Sequence, residues 1–335
     1  MLKTLVSPVS NRAVNAQNLR FGKSSLYTEY FNGCGLPYGA YCDCENCRVS
    51  IDMLRFVFVF DDDIYDHSKQ KAYPFLTYIP FLLESISYRN TVFETYWFHH
   101  DSFKIGTYSS VCRCSGVGWS CALMFGRYAF NGSKRTIPEA VLEFNPNKCP
   151  ADFIDSIFSL FLPCCNELKI TRFDVAIDIP LERSSLYMLP SPYGNNRTFD
   201  DTQYYGKRHS HNSVKFYNKS VESHLLCPIT RLEITYESSK FQGVQASFPT
   251  IYSFSGLNMD FSFYSLPFEV QSCILFPDLL PVLKRSSSPN SYRKYKRLID
   301  DFPQYRFFPS NMENVNNFVC AVLGAYLGGK YEIFV

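Results

Sequence analysis

The chain has 335 residues, 46% of them hydrophobic, and 33 Lys and Arg stand against 31 Asp and Glu, a formal net charge of +2. This length favours two domains or one core with large additions, and the near-neutral charge excludes a globally basic nucleic-acid binder. No stretch reaches the ~18 apolar residues of a membrane span, and the first residues lack a signal-peptide pattern. We therefore expect a soluble cytoplasmic protein.

Apolar periodicity predicts the elements in chain order. It predicts strands at 53–60 and 140–144, short strands within 91–132, a helix at 73–88, and a helix that begins at Pro150 and has the buried face Phe153, Ile154, Ile157, Phe158 and Phe161. It then predicts a strand at 170–178, a polar loop at 184–201, a hairpin of strands 203–205 and 213–217, a helix at 219–224, a strand at 229–236 and a C-terminal buried helix at 318–327 that Gly328 caps.

These elements predict an α+β fold with a central, mainly antiparallel sheet, helices packed on one face of it, and a helical C-terminal region. The predicted organisation has three parts. Residues 1–50 form an N-terminal extension with a Cys-rich loop, residues 51–240 form the core, and residues 241–335 form the helical C-terminal region with a basic helix.

The predicted strand at 170–178 places charged side chains on one face. With a period of two, Arg172, Asp174, Ala176 and Asp178 share a face, and the later strand repeats this pattern with Arg231 and Glu233. If the two strands are neighbours, three carboxylates converge between two arginines, and such oxygen ligands suit Mg²⁺ or Mn²⁺. The alternative is a solvated polar face with cross-strand ion pairs, which antiparallel sheets commonly have.

A tyrosine follows this strand within a basic and acidic segment. Tyr217 stands two residues before Lys219 and five before Glu222. A phenol attacks a phosphodiester when a nearby cation favours the phenolate and a carboxylate-bound metal polarises the phosphate. The spacing is consistent with that chemistry, although a tyrosine at a strand end is also a common packing residue.

The order of these motifs resembles a known family. The series Thr171 to Asp178, Tyr205-Gly206, Val214 to Glu222, and Arg231-Leu232-Glu233 resembles the replication initiation factor (Rep_trans) family of rolling-circle initiators from small bacterial plasmids and phages. The segment Ile51 to Phe56 is similar to the strand that opens that family's core, and the resemblance covers roughly residues 50–240.

The resemblance implies a nicking and initiating core that cuts one origin strand through a tyrosine and keeps the 5′ end as a phosphotyrosine. By this resemblance Tyr217 is the nucleophile, Lys219 the nearby cation and Glu222 a supporting carboxylate. The implied ligands for Mg²⁺ or Mn²⁺ are Asp174, Asp178 and Glu233. The implied partners are origin DNA, both duplex and single-stranded, and a host helicase and polymerase, and a homodimer is left open. Whether a plasmid, a phage or an integrated element encodes the protein is also left open.

Basic side chains near the tyrosine and in the C-terminal region are the predicted DNA contacts. Those near the tyrosine are Arg172, Lys207, Arg208, Lys215 and Arg231, and those on the basic helix are Arg293, Lys294, Lys296 and Arg297. The alternative for the helix is a solvated face.

Two further clusters are candidate metal sites. Cys42, Cys44 and Cys47 have a spacing that can hold a structural Zn²⁺ if a fourth ligand arrives, whereas free thiols are the simpler interpretation. His209 and His211 lie in a predicted hairpin turn, where a histidine pair is usually solvated. Two alternative functions follow: a DNA-binding protein without catalysis, and a zinc-stabilised interaction protein.

Overall fold

The structure is a computed structural model that describes residues 11–22, 27–60, 92–97, 108–128, 136–188, 196–199, 202–207, 209–249, 251–253, 265–275, 279–301, 305–307, 309 and 311–329. The predicted helix at 73–88 lies outside these residues. None of the helices within them is long and apolar enough to cross a bilayer.

A large sheet organises the described chain. Its strands are β1 (Arg20–Phe21), β2 (Tyr41–Asp43), β3 (Arg48–Phe60), β4 (Val92–Trp97), β5 (Tyr108–Gly116), β6 (Trp119–Tyr128), β7 (Thr136–Phe144), β8 (Cys165–Ile179), β10 (Asn196–Phe199), β11 (Thr202–Tyr205), β12 (Ser213–Asn218) and β13 (Thr230–Glu237). The order is β10-β11-β12-β13-β8-β3-β7-β6-β5-β4 with antiparallel neighbours, and β2 joins β3 while β1 pairs parallel with β2. A second sheet contains β9 (Leu186–Met188), β14 (Ile251–Ser253) and β15 (Tyr305–Phe307).

One face of the large sheet is apolar and carries the main helices α1 (Arg12–Gln17), α3 (Ala151–Phe161) and α8 (Met312–Leu327). The ring of Phe56 on β3 lies 5.3 Å from Phe158 of α3 and 5.4 Å from Tyr326 of α8. All three rings are fully buried. Because apolar burial is the largest favourable term in folding, this aromatic layer holds the helices to the sheet.

The other helices lie apart from that layer. They are α2 (Thr28–Gly33), α4 (Lys219–Ser223), α5 (Phe268–Leu275), α6 (Leu280–Ser286) and α7 (Pro289–Asp301). Phe31 of α2 contacts Arg48 on the opposite, polar face of the sheet. Helices α5 to α7 pack on one another around a small core that includes Val270, Leu283 and Ile299.

The α+β fold class is confirmed, and so are the helix from Pro150, the 203–217 hairpin, the 219–224 helix and the C-terminal helix. Gly328 ends α8 with a φ of 74°, as expected for a left-handed cap. The loop prediction at 184–201 was wrong in part, because β9 forms there by pairing with the distant β14, and β10 forms by pairing with β11, which begins three residues after β10 ends. The three-part division stays a prediction. Both α1 and α8 contribute to the same buried core as the sheet.

Candidate active site

The polar face of the large sheet gathers the predicted site residues in rows. Cross-strand register places Tyr217 opposite Arg231, and Arg231 opposite Asp178, on β12, β13 and β8. The next row contains Lys215, Glu233 and Ala176. Because directly opposed residues point to the same side of a sheet, the predicted neighbourhood of the two acidic strands exists.

Tyr217 lies at the end of β12, beside the carboxylate of Glu233. Its hydroxyl donates a short hydrogen bond to Glu233 Oε1, and Lys215 Nζ lies 3.7 Å from the ring centroid. The residue is only 3% exposed. Burial first, and then the negative charge of Glu233, raise the pKa of the Tyr217 phenol. The lysines lie over the ring while the hydroxyl faces a carboxylate, so the role of Lys219 as the cation that favours the phenolate stays a prediction.

Asp52 is the second carboxylate beside this tyrosine, and a β-bulge directs it there. On β3, Ile51 pairs with Val175 and Met53 pairs with Asp174, so Asp52 is the extra residue between them. Its Oδ1 accepts hydrogen bonds from Arg231 Nη1 at 2.7 Å and from Asn145 Nδ2 at 3.1 Å. The resemblance includes the segment 51–56 but assigns no role to Asp52. An acidic residue within an otherwise mainly apolar strand was the sequence feature that could have identified it.

The two carboxylates, Asp52 and Glu233, influence each other's ionisation. Burial and the charge of Asp52 raise the pKa of Glu233 to about 7, although Lys215 and Arg231 oppose this shift. Burial disfavours ionised Asp52 as well, but Arg231 and Lys219 outweigh it and lower the pKa of Asp52. Two acids that share one cationic environment in this way are typical of functional sites.

Asp178 is fully buried and already saturated by neighbours. Arg231 donates to both its oxygens, at 2.6 and 2.7 Å, and the Tyr38 hydroxyl donates at 2.8 Å. Arg231 itself is 2% exposed. This geometry makes Asp178 the counter-ion of Arg231, an arrangement that leaves little capacity for a metal.

Lys219 and Glu222 form a pair next to the tyrosine ring. Asn218 caps α4 by accepting a 3.1 Å hydrogen bond from the Val221 amide, so the strand turns into a helix directly after Tyr217. This turn buries Lys219, whose Nζ bonds Glu222 Oε2 and lies 5.7 Å from the Tyr217 ring centroid. The structure therefore brings together Tyr217, Lys219 and Glu222, as the motif implied.

Asp174 lies further along β8, away from the tyrosine. It pairs with Thr235 across the sheet and forms an ion pair with Arg172 at 2.9 Å. Burial, only partly offset by Arg172, raises the pKa of Asp174. Of the three predicted metal ligands, only Glu233 is thus in contact with Tyr217.

The predicted DNA contacts are spread over several surfaces, except Arg172 and Arg231, which are buried and paired with carboxylates. Lys215 covers Tyr217, Lys207 is exposed in the β11–β12 turn, and Arg208 lies outside the described residues. On α7, Arg293, Lys294 and Arg297 are exposed, whereas Lys296 is half-buried and bonds Asp300. The tyrosines Tyr292 and Tyr295 pack against the small helical core, so the basic residues form the outer side of an amphipathic helix.

The cysteine cluster is buried rather than open to ligands. Cys42, Cys44 and Cys47 are neighbours through side-chain hydrogen bonds, and the bond to Cys44 together with burial raises the pKa of Cys42. All 13 cysteines are free thiols. Across the described ranges, no group of three or more His, Cys, Asp or Glu side chains is arranged to hold a metal ion. The zinc site stays a prediction.

No protein-family model and no curated protein matches the chain. Among solved structures, it is similar to a rolling circle replication initiator protein from Geobacillus stearothermophilus. The identity is 13%, the match covers 86% of this chain and 99% of that chain, and the TM-score is 0.34. A likeness at this TM-score carries no argument about chemistry, which depends on the chain's own side chains.

Proposed function

We propose that the protein is a DNA strand-nicking initiator of rolling-circle replication, with Tyr217 as nucleophile. The observation that carries the proposal is the hydrogen bond from the Tyr217 hydroxyl to Glu233, in a pocket that Asp52, Lys215 and Arg231 complete. The motif order that resembles the rolling-circle initiators supports the same residue.

In the proposed reaction the Tyr217 oxygen attacks the phosphorus of one phosphodiester. Glu233 takes the phenolic proton as the new O–P bond forms, since its Oε1 already accepts that hydrogen. The bond from phosphorus to the 3′ oxygen breaks, that oxygen gains a proton, and the 5′ end stays on Tyr217. The released 3′-OH is then a primer for a host polymerase.

Positive side chains would stabilise the extra charge of the pentavalent phosphorus. Lys215 Nζ lies over the tyrosine ring and 3.7 Å from Oε2 of Glu233, the carboxylate that bonds the Tyr217 hydroxyl. Arg231 holds Asp52 and Asp178 in place and sets the charge behind the site. Lys219, buried against Glu222, fixes the turn that follows Tyr217.

The carboxylates beside Tyr217 fit a divalent cation better than the set that the resemblance implied. Mg²⁺ commonly binds one or two carboxylates and completes its shell with water and substrate phosphate. Asp52 bonds Arg231 through Oδ1 and Glu233 bonds Tyr217 through Oε1, so each keeps a second oxygen for a cation, whereas both oxygens of Asp178 accept from Arg231 and both of Asp174 accept from Arg172. A bound Mg²⁺ or Mn²⁺ would supply positive charge beside the scissile phosphate.

Access of DNA to the hydroxyl requires movement of surface side chains. The ring is covered by Lys215, which is 31% exposed and pairs with Glu222 at 3.8 Å, and the Glu222 side chain is 46% exposed. An ion pair this exposed contributes only about 0–1 kcal/mol, so an entering phosphate can displace it.

The same burial favours a second candidate function, a DNA-binding protein without catalysis. In that alternative Tyr217 is a packing residue that is 3% exposed, and its hydrogen bond to Glu233 only satisfies a buried hydroxyl group. The two functions differ in one measurable product, the covalent adduct.

The deciding experiment incubates the full chain and Mn²⁺ with a candidate origin oligonucleotide and determines intact protein mass. We expect a nucleotide adduct on the Tyr217 peptide, and its loss in Tyr217→Phe. Tyr204→Phe is the matched control, because Tyr204 lies on the adjacent strand opposite Lys215. An adduct that survives Tyr217→Phe identifies another nucleophile, and DNA binding without any adduct or nick supports the alternative.

A further inference from the structure

A cavity opens on the polar face, towards the opposite end of β8 from Asp178. Its volume is about 570 Å³. Three cationic side chains, Arg55, Lys169 and Arg172, line it together with His209, and Glu237 is the acid among the lining residues. We call this cavity the basic cleft.

The two arginines of the basic cleft are direct cross-strand neighbours. Arg55 on β3 pairs with Arg172 on β8, and like charges placed directly opposite each other destabilise a sheet. Each is balanced by one carboxylate, Arg55 by Glu143 at 2.6 Å and Arg172 by Asp174 at 2.9 Å. Neither carboxylate lines the cleft, so the guanidinium groups form its wall while their counter-ions lie outside it.

The other charged residues of the cleft are also paired, and none adds a free negative charge to it. Lys169 is exposed and pairs with Glu167 at 2.7 Å, and Glu167 does not line the cavity. Glu237, which does, is paired with Lys240 at 2.6 Å. The cleft therefore presents cationic N–H donors and one neutralised acid, which is the donor set that phosphate oxygens require.

His209, which lines the cleft, has an unfavourable backbone conformation. Its φ is 61°, in the left-handed region that non-glycine residues seldom adopt. Its Nδ1 lies 3.3 Å from Arg172 Nη1, and since a guanidinium can only donate, Nδ1 is the acceptor. Backbone strain of this kind is concentrated at functional sites.

The distance from the basic cleft to Tyr217 corresponds to a few nucleotides. Arg172 is four positions along β8 from Ala176, the cross-strand partner of Glu233. At ~3.3 Å per residue along β8 and ~4.8 Å for the step across to β13, the backbone of Glu233, whose carboxylate bonds the Tyr217 hydroxyl, is about 14 Å from that of Arg172. A DNA strand advances ~3.4 Å per nucleotide in B form, so it covers this distance in about four nucleotides or fewer.

We propose that the basic cleft binds a backbone phosphate of the strand that is cut at Tyr217, about four or fewer nucleotides from the cleaved bond. The position relative to the cut rests on the proposed function; the phosphate site itself rests on the cleft. Arg55, Lys169 and His209 are thereby assigned to DNA binding.

The test measures binding of a fluorescein-labelled oligothymidine of about 20 nucleotides to the full chain by anisotropy. The salt dependence is recorded between about 50 and 200 mM NaCl, because each lost phosphate contact reduces the slope of log K against log[salt] by ~0.7 for single strands. The variants are Arg55→Gln and Lys169→Gln. Arg113→Gln is the matched control, since Arg113 is an exposed strand arginine on β5 that lies three strands from Arg55 and does not line the cleft. Circular dichroism checks the fold.

We expect both variants to reduce the slope by about 0.7 and Arg113→Gln to keep the wild-type value. Lys169 is a surface residue, so its variant keeps the test valid if Arg55→Gln fails to fold. If the folded variants keep the wild-type slope of log K against log[salt], the proposed phosphate site in the basic cleft is wrong, even if plasmid nicking is normal. A reduced slope in a protein that forms no covalent adduct would support the cleft and contradict the proposed function.

Discussion

The buried ion pair between Arg231 and Asp178 gives the sharpest quantitative prediction. Asp178→Leu removes two hydrogen bonds from Arg231, at 2.6 and 2.7 Å, and leaves a guanidinium that is 2% exposed. Breaking a buried pair in this way costs about 3–5 kcal/mol. Asp52 still faces Arg231 at 2.7 Å, so we expect the lower end, ~3 kcal/mol or about a hundredfold in the folding equilibrium.

Urea unfolding followed by circular dichroism measures this loss as a shift in midpoint at unchanged slope. Arg231→Met and the double variant complete a thermodynamic cycle, in which we expect a coupling of about 2–3 kcal/mol. Glu143→Gln is the control, because its pair with Arg55 has the same 2.6 Å length but is 31–34% exposed. The reasoning is refuted if Asp178→Leu lowers the free energy of unfolding no more than this control does. In that case Asp178 would not be committed to Arg231 and could bind a metal.

The remaining predictions concern the site and the N-terminal segment. Asp52→Asn should raise the Mn²⁺ concentration for half-maximal nicking by about tenfold or more, and an unchanged requirement would exclude Asp52 as a ligand. In metal-free protein, Glu233 has a pKa of about 7 and keeps a proton that the unfolded chain loses near pH ~4.3. The free energy of unfolding should therefore decrease as the pH rises from about 4.3 to about 7. Glu233→Gln should flatten that decline, and a curve identical to wild type would contradict the assignment. Asp155→Ala should cost about 1–2 kcal/mol in urea unfolding, because its carboxylate accepts the Ala13 and Val14 amides at 2.7 and 3.1 Å; an effect no larger than that of Asp152→Ala would contradict this role.

Much of the fold was predictable from local patterns. The face of α3, from Phe153 to Phe161, follows from helical periodicity, and the alternation in β8 and β13 correctly separated charged from apolar sides. The short strand β9 was not predictable, because it forms only through β14, a partner distant in sequence. The strand β10 pairs with the adjacent β11, but its sequence Asn-Arg-Thr-Phe carries little apolar signal of a strand.

The candidate site was predictable only in part. The clustering of Tyr217, Lys219, Glu222 and Glu233 follows from motif order and strand period. The position of Asp52 beside these residues does not, since a bulge in β3 redirects its side chain and a bulge leaves no periodic signal.

The sequence by itself determined which side chains share a face of each strand, because the side-chain period of a strand is two whatever its neighbours are. Only the tertiary structure decided which carboxylates are committed to ion pairs. Asp174 and Asp178 occupy equivalent positions in the pattern of β8, yet each is paired with its own arginine, while Glu233 bonds Tyr217. The physical reason is register: the strand that lies alongside fixes the partner of Asp178 and of Glu233, whereas Asp174 pairs with an arginine of its own strand.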